Sequence, residues 1–368
     1  MRPHPIVGIA HRSPRVRGVE LKDRIDAALT AFLDRQAAVI CGIDDSLGAY
    51  ADAVRSFVLG GGKRVRPMFA YWGARGAGLP DSEALVACVA SLELLQASAL
   101  MHDDLIDGSD TRRGAPSVHR RFAALHERER WSGRPEEFGA AAAILLGDLC
   151  LVWSDELLCS AGMPFEAVAA ARADFDLMRT EVSAGQYLDV LSEVRRDVSE
   201  DTAAKVARYK SAKYTIERPL LIGASLAGAG EAVRASYSGI GLPLGEAFQL
   251  RDDVLGVFGD PEQTGKPAGD DLREGKHTFL VARAWAAADA EQRAALDAGL
   301  GDPGLDEAGV ERLRAILMDT GALADTEHRI EVLAAEAEAA LEASRGDVDP
   351  AALEVFSGLL VGAVKRDF

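Results

Sequence analysis

Apolar residues return every three or four positions along most of the chain, as in LKDRIDAALTAFLDRQ, EALVACVASLELLQASAL and AAAILLGDLCLVWSDELL. That period matches the 3.6-residue turn of an α-helix, and no stretch alternates convincingly at the two-residue period of a half-buried strand. Breakers fall at helix-length intervals: GGGKRVRP at 60–67, the turn at 108–116, WSGRP at 131–135, AGMP at 161–164, GAG at 228–230 and GDPEQTGKPAGDD at 259–271. The predicted class is therefore all-α, with about a dozen or more helices. No linker, fixed-period repeat or low-complexity segment interrupts them. A length of 368 residues could make two average domains, but a hydrophobic share of 48% also suits one large helical domain.

Composition narrows the partners. A formal charge of -17 argues against a nucleic-acid backbone or an anionic membrane surface as the main partner, because both would be repelled. Cys41, Cys88, Cys150 and Cys159 show neither zinc-knuckle spacing nor a disulfide framework, so a reducing cytoplasm fits best. The first eighteen residues, MRPHPIVGIAHRSPRVRG, lack a signal-peptide core and are expected to be a disordered basic tail, with the folded domain spanning 19–368. No run of about 18 uninterrupted apolar residues predicts a transmembrane segment. The stretch HERERWSGRPEEFG, 126–139, is expected to be a surface loop.

The run EALVACVASLELLQASAL ends in MHDDLIDGSDTRRG. On a helix Asp103 and Asp107 share a face, roughly 6 Å apart along the axis, while Asp104 points about 100° away. Like charges at that spacing weaken a helix by some tenths of a kcal/mol, and an apolar flank sharpens the repulsion. A cation would remove the problem, and oxygen ligands without His or Cys favour Mg²⁺. The competing reading, a solvated acidic helix end, loses ground to a second patch, Asp252 and Asp253, behind the apolar EAFQL. Asp110 reads as a turn residue. Basic residues complete the pattern: Lys63, Arg64 and Arg66 in GGGKRVRP, Arg112 and Arg113 after the first patch, Lys266 and Lys276 after the second. Together they describe a site for two phosphate-rich groups, one through Mg²⁺ and one directly on Lys and Arg. The spacing of GGGKRVRP is not that of a nucleotide-binding P-loop.

In order, GGGKRVRP, ELLQ (93–96), HDDLIDGSDTRRG, GQYLD (185–189), YKSAKYT (209–215), FQLRDD (248–253) and GKPAGDDLREGK (265–276) resemble the trans-isoprenyl diphosphate synthases of the polyprenyl synthetase family, over roughly residues 50–290. The resemblance implies a single orthogonal helical bundle around a central apolar cavity, packed as a homodimer. It implies a Mg²⁺-dependent prenyltransferase, three ions being the family's number, that joins an allylic diphosphate (dimethylallyl, geranyl or farnesyl) head to tail to isopentenyl diphosphate. Asp103, Asp104, Asp107, Asp252 and Asp253 would then hold metal, with Asp103, Asp107 and Asp252 as direct ligands. Arg112, Lys210 and Lys266 would hold the allylic diphosphate; Lys63, Arg66, Gln96 and Arg113 would seat isopentenyl diphosphate. Lys210 with Ser211, Gln186 and Gln249 would lie at the reacting centre. Two departures stand out. Gly256 occupies the place of a third aspartate in the second patch, and Ser211 replaces a threonine.

The resemblance also implies a ruler. Family members that stop at fifteen carbons carry bulky aromatics four and five positions before the first aspartate, and here those positions are Ala99 and Ser98. One turn rises about 5.4 Å, so the next barrier falls near Leu95, or a turn further at Leu92 and Ser91. The expected product is geranylgeranyl diphosphate, with longer chains as the variant; close helix packing is the competing reason for small residues there. A class I terpene cyclase would carry a different metal motif in place of the second patch and would not need Lys63, Arg66 and Arg113. A non-catalytic subunit of a heteromeric synthase would have eroded charges.

Overall fold

The computed structural model describes residues 14–259, 269–302 and 304–364. Helix α1 (Pro14–Ile43) leads through a 3₁₀ turn (Asp45–Leu47) into α2 (Gly48–Leu59), α3 (Val65–Gly76) and α4 (Glu83–Ile106). A short ribbon follows, β1 (Thr111–Arg112) antiparallel to β2 (Ala115–Pro116), then α5 (Val118–Glu129), α6 (Pro135–Ser160), α7 (Phe165–Arg195) and α8 (Glu200–Val206). A π-helix (Ala207–Glu217) continues directly into α9 (Arg218–Leu226), and α10 (Glu231–Phe258) comes next. The chain closes with α11 (Asp270–Glu274), α12 (Phe279–Ala287), α13 (Ala290–Gly299), α14 (Glu307–Asp319), α15 (Ala322–Ala343) and α16 (Pro350–Val364).

The all-α expectation holds, with the ribbon as its exception. Arg113 and Gly114 between the strands both have positive φ, 54° and 75°, as a two-residue hairpin turn requires. Two other expectations need correcting. Helix α1 starts at Pro14, so residues 14–18 are helical rather than tail; proline suits a first turn, where its missing N–H has no intrahelical partner. The remainder of the tail, 1–13, lies outside the described residues. Residues 126–139 are not a loop but the end of α5, a tight turn and the start of α6. Trp131 packs on Phe138 with ring centroids 5.3 Å apart, and on His126 at 6.1 Å, which closes the turn.

Helix α4 organises the bundle. Ser82 caps its start by accepting a hydrogen bond from the Leu85 N–H, and the helix is buried along most of its faces. By length and composition it could cross a membrane, yet 72% of its most apolar window is buried inside the protein, as an all-round apolar core helix must be. Its main neighbour is α6. Arg64, itself buried and left-handed at φ 52°, ties the N-terminal helices to it: Nε donates to Asp26 of α1 at 2.7 Å and Nη1 to Glu93 of α4 at 2.7 Å. Two apolar clusters fill the interior, and α10 serves both. Tyr237, Ile240 and Leu244 belong to the larger; Ala247, Leu250, Val254 and Val257 belong to the smaller, with α11 to α15. The second acidic patch therefore lies inside α10, within the stretch that serves the smaller cluster, rather than at a helix end.

Candidate active site

The first patch occupies the last turn of α4. Asp107 is its C-cap, with the N–H bonded to the Asp103 carbonyl. Asp103 lies 3.5 Å from Lys210 Nζ and 3.9 Å from Arg112 Nη2. Asp104 is fully buried, and its Oδ1 accepts from Arg112 Nε at 2.8 Å and also from Arg112 Nη2. The hairpin thus folds Arg112 back over the helix that precedes it. Asp107 is exposed at the helix end, yet partial desolvation by the groups around it, then the charge of Asp103, raise its carboxyl to about 6. Asp110 is exposed and pairs with Arg120, outside this cluster.

Lys210 arrives on the π-helix, a winding often found at functional sites. Its Nζ donates to Asp189 of α7 at 2.6 Å. Burial opposes its charge, but Asp103 and Asp189 outweigh it and raise the lysine above its ordinary value. Glycines let neighbouring helices approach this segment. A Cβ on Gly185 of α7 would lie 2.5 Å from Lys210 N, and one on Gly245 of α10 would lie 2.7 Å from Ala212 Cα. Ser211 and Gln186 are half-buried beside these contacts.

A basic face adjoins. Arg66, at the start of α3, stacks 4.3 Å over the Tyr214 ring and donates to Thr215 Oγ1 at 2.8 Å, both on the π-helix. Arg113 donates to the Gly61 carbonyl at 2.8 Å, which joins the hairpin to the glycine loop carrying Lys63. Burial, with Arg64, Arg112 and Arg66 nearby, lowers the Arg113 guanidinium below its ordinary value. Arg64, read from sequence as part of this basic set, is instead the buried tie to α1 and α4.

On α10, Gln249 donates to Asp253 Oδ1 at 2.7 Å. Asp253 is buried and pushed up to about 8 by burial, then by Asp271 and Asp252. Lys276 donates to Asp271 at 3.0 Å and contacts Glu274 at 2.6 Å. Its charge is felt at both Asp107 and Asp253, so the two acidic patches share one field. Lys266 lies outside the described residues. Leu95 and Ser98 are buried in α4, and Ala99 is half-buried. Arg66 Nε, Gln96 Oε1, Asp103 Oδ1, Asp104 Oδ2 and Gln186 Nε2 are all buried without a hydrogen-bond partner. Such atoms are costly unless something polar meets them.

The polyprenyl synthetase profile matches residues 49–317, well over half of the chain. The chain belongs to the polyprenyl synthetase family. The crystal structure of geranylgeranyl pyrophosphate synthase from Corynebacterium glutamicum, complexed with isoprenyl diphosphate and magnesium, superposes with a TM-score of 0.91 at 40% identity, covering 95% of this chain and 99% of that one. Geranylfarnesyl diphosphate synthase of Aeropyrum pernix is 34% identical across 73% of this chain and 79% of its own length. Octaprenyl diphosphate synthase of Escherichia coli is 31% identical across 93% and 95%. This member of the family is accordingly an enzyme, a condensing prenyltransferase.

Sequence reasoning gave no role to Asp189, Thr215 and Glu193, among others that meet the site. Asp189 anchors Lys210, Thr215 receives Arg66, and Glu193 is raised to about 7 by burial and by Asp189 and Asp107. Asp189 was legible: it follows Gln186 by three positions on one helix, hence on the same face. Thr215 and Glu193 carried no signal short of the fold itself.

Proposed function

We propose that this prenyltransferase extends an allylic diphosphate with isopentenyl diphosphate under Mg²⁺, yielding geranylgeranyl diphosphate. The observation that carries this is the set of buried polar atoms without a hydrogen bond on Arg66, Gln96, Asp103, Asp104 and Gln186, all residues singled out by sequence. The aspartates of the two acidic patches fit a hard divalent cation, offering carboxylate oxygens without sulfur or imidazole. Asp103, Asp107 and Asp252 would ligate it, with Asp253 behind them steadied by Gln249; three ions is the expected complement. Asp104, paired with Arg112, is better suited to aiming that guanidinium than to direct ligation. Bound Mg²⁺ would supply charge neutralisation for the departing diphosphate.

The protein's own cations do the rest. Arg112, Lys210 and Lys266 hold the allylic diphosphate, and Lys63, Arg66, Gln96 and Arg113 seat the second substrate. Lys210, kept protonated by Asp103 and Asp189, faces the negative charge that grows as the allylic C–O bond breaks. The double bond of isopentenyl diphosphate then attacks the allylic cation, and a proton leaves to the freed diphosphate. Water would quench that cation, which supports placing the reacting carbons under Gln186 and Ser211 in the bundle. The small side chains of Ser98 and Ala99 support a pocket open past fifteen carbons, with Leu95 as its next barrier. The starter is dimethylallyl, geranyl or farnesyl diphosphate. A homodimer fits Ile144, Leu145 and Val152, which leave apolar side chains 47%, 58% and 62% exposed on α6. A cytoplasmic location fits four free thiols.

The test is diphosphate release from purified protein supplied with Mg²⁺, isopentenyl diphosphate and each allylic starter in turn. Asp103→Asn should lower kcat by about 10²–10³-fold. No release from the unmodified protein with any starter would overturn the proposal, and a cyclic hydrocarbon product would favour the cyclase instead.

A further inference from the structure

Gly256 stands one helical turn beyond Asp252 on α10, so the two positions share a face. The place its side chain would start from is already taken. A Cβ at 256 would lie 1.8 Å from Asp271 Oδ2 and 2.5 Å from Asp271 Cγ. Asp271 comes from α11, a separate element. Gly269 and Gly275 flank it in the left-handed region at φ 73° and 78°, and the Lys276 N–H donates to the Asp271 carbonyl at 3.1 Å. Lys276 Nζ donates to Asp271 Oδ1 at 3.0 Å, which leaves Oδ2 as the oxygen against the α10 face. The same lysine also contacts Glu274, so one positive charge serves two carboxylates.

We propose that Asp271 is the third carboxylate of the second metal-binding patch, delivered across space to the face from which Gly256 supplies none. The inference rests on the Mg²⁺-dependent reading above and deepens it. Because the oxygen arrives through a helix with its own supports, a glycine at 256 is a requirement of the site rather than a loss from it. Even an alanine there would have to displace the carboxylate.

Calorimetric titration of the full chain with Mg²⁺, in the presence of methylenediphosphonate as an inert diphosphate, tests this without turnover. Asp271→Asn keeps the side-chain shape and an oxygen for Lys276. It should raise the Mg²⁺ dissociation constant about tenfold or more. In an Asp271→Ala background, Gly256→Asp should recover most of the lost affinity, because the carboxylate returns to the vacated face. Wild-type Mg²⁺ affinity in Asp271→Asn, with or without a fall in Tm, would make Asp271 only a structural partner of Lys276. Lost affinity that Gly256→Asp fails to recover would make the effect indirect. Either result overturns the inference. Asp103→Asn and Asp252→Asn separate this from the parent proposal: if they too leave Mg²⁺ affinity intact, the metal-dependent reading fails.

Discussion

Asp253 and Asp107 are aspartates whose surroundings work against their charge, and Asp253 carries the larger shift. Its carboxyl moves from an ordinary 3.8 to about 8, burial being the first cause and Asp271 and Asp252 the next. A folded-state pKa above the unfolded one means that the group stabilises the fold at acid pH. That contribution is complete below about 3.8 and is lost as pH rises through about 8. Asp253→Asn cannot ionise and removes the slope. In metal-free protein the stability of Asp253→Asn relative to wild type should therefore climb between pH 5 and pH 8, by at most about 1.4 kcal/mol per pH unit. Thermal melts across that range would show it, and a difference that does not vary with pH would refute the shift. Metal that binds only the ionised carboxylate reverses the preference, so added Mg²⁺ and diphosphate should stabilise wild type more at pH 8 than at pH 6.

At the scale of elements, the π-helix depends on close approach. Gly185→Ala places a methyl carbon 2.5 Å from the Lys210 backbone nitrogen, where backbone and not a flexible side chain must yield. We expect a loss of about 1–3 kcal/mol in chemical denaturation, together with a fall in kcat as Lys210 shifts from Asp103. Wild-type stability and turnover in Gly185→Ala would mean that the segment rewinds freely. On α4, Ser98→Phe should shorten the product to fifteen carbons, read by chromatography of the dephosphorylated prenols. Unchanged length would leave Ser98 as a packing residue against a neighbouring helix. Much of this was legible in advance. Helical period located α4 and α10, and the spacing of Asp103 and Asp107 located their shared face. The π winding, the hairpin at Arg113 and the burial of Arg64 were not, because each depends on what packs against it. Arg64 is buried because Asp26 and Glu93, 38 and 29 positions away, come within reach of its guanidinium.

Across the whole molecule, α10 joins two apolar clusters and carries the second acidic patch on the stretch it gives to the smaller one. The outer face of α6 offers Ile144, Leu145 and Val152 to solvent, and residues seven or eight apart share a helix face. Leu145→Glu with Val152→Glu should convert a dimer to monomers in sedimentation or light scattering at micromolar concentration. A wild-type chain that is already monomeric would exclude that face as an interface. The all-helical class and the ordering of the motifs could be read from the chain; what position 256 contributes could not, because its partner lies fifteen residues on and in another element. The contact between Gly256 and Asp271 also has a historical side. An aspartate cannot enter at 256 while Asp271 holds its ground, and Asp271 cannot depart first without giving up a carboxylate. The two positions are therefore coupled: the order in which they change decides whether a carboxylate stands at that face throughout.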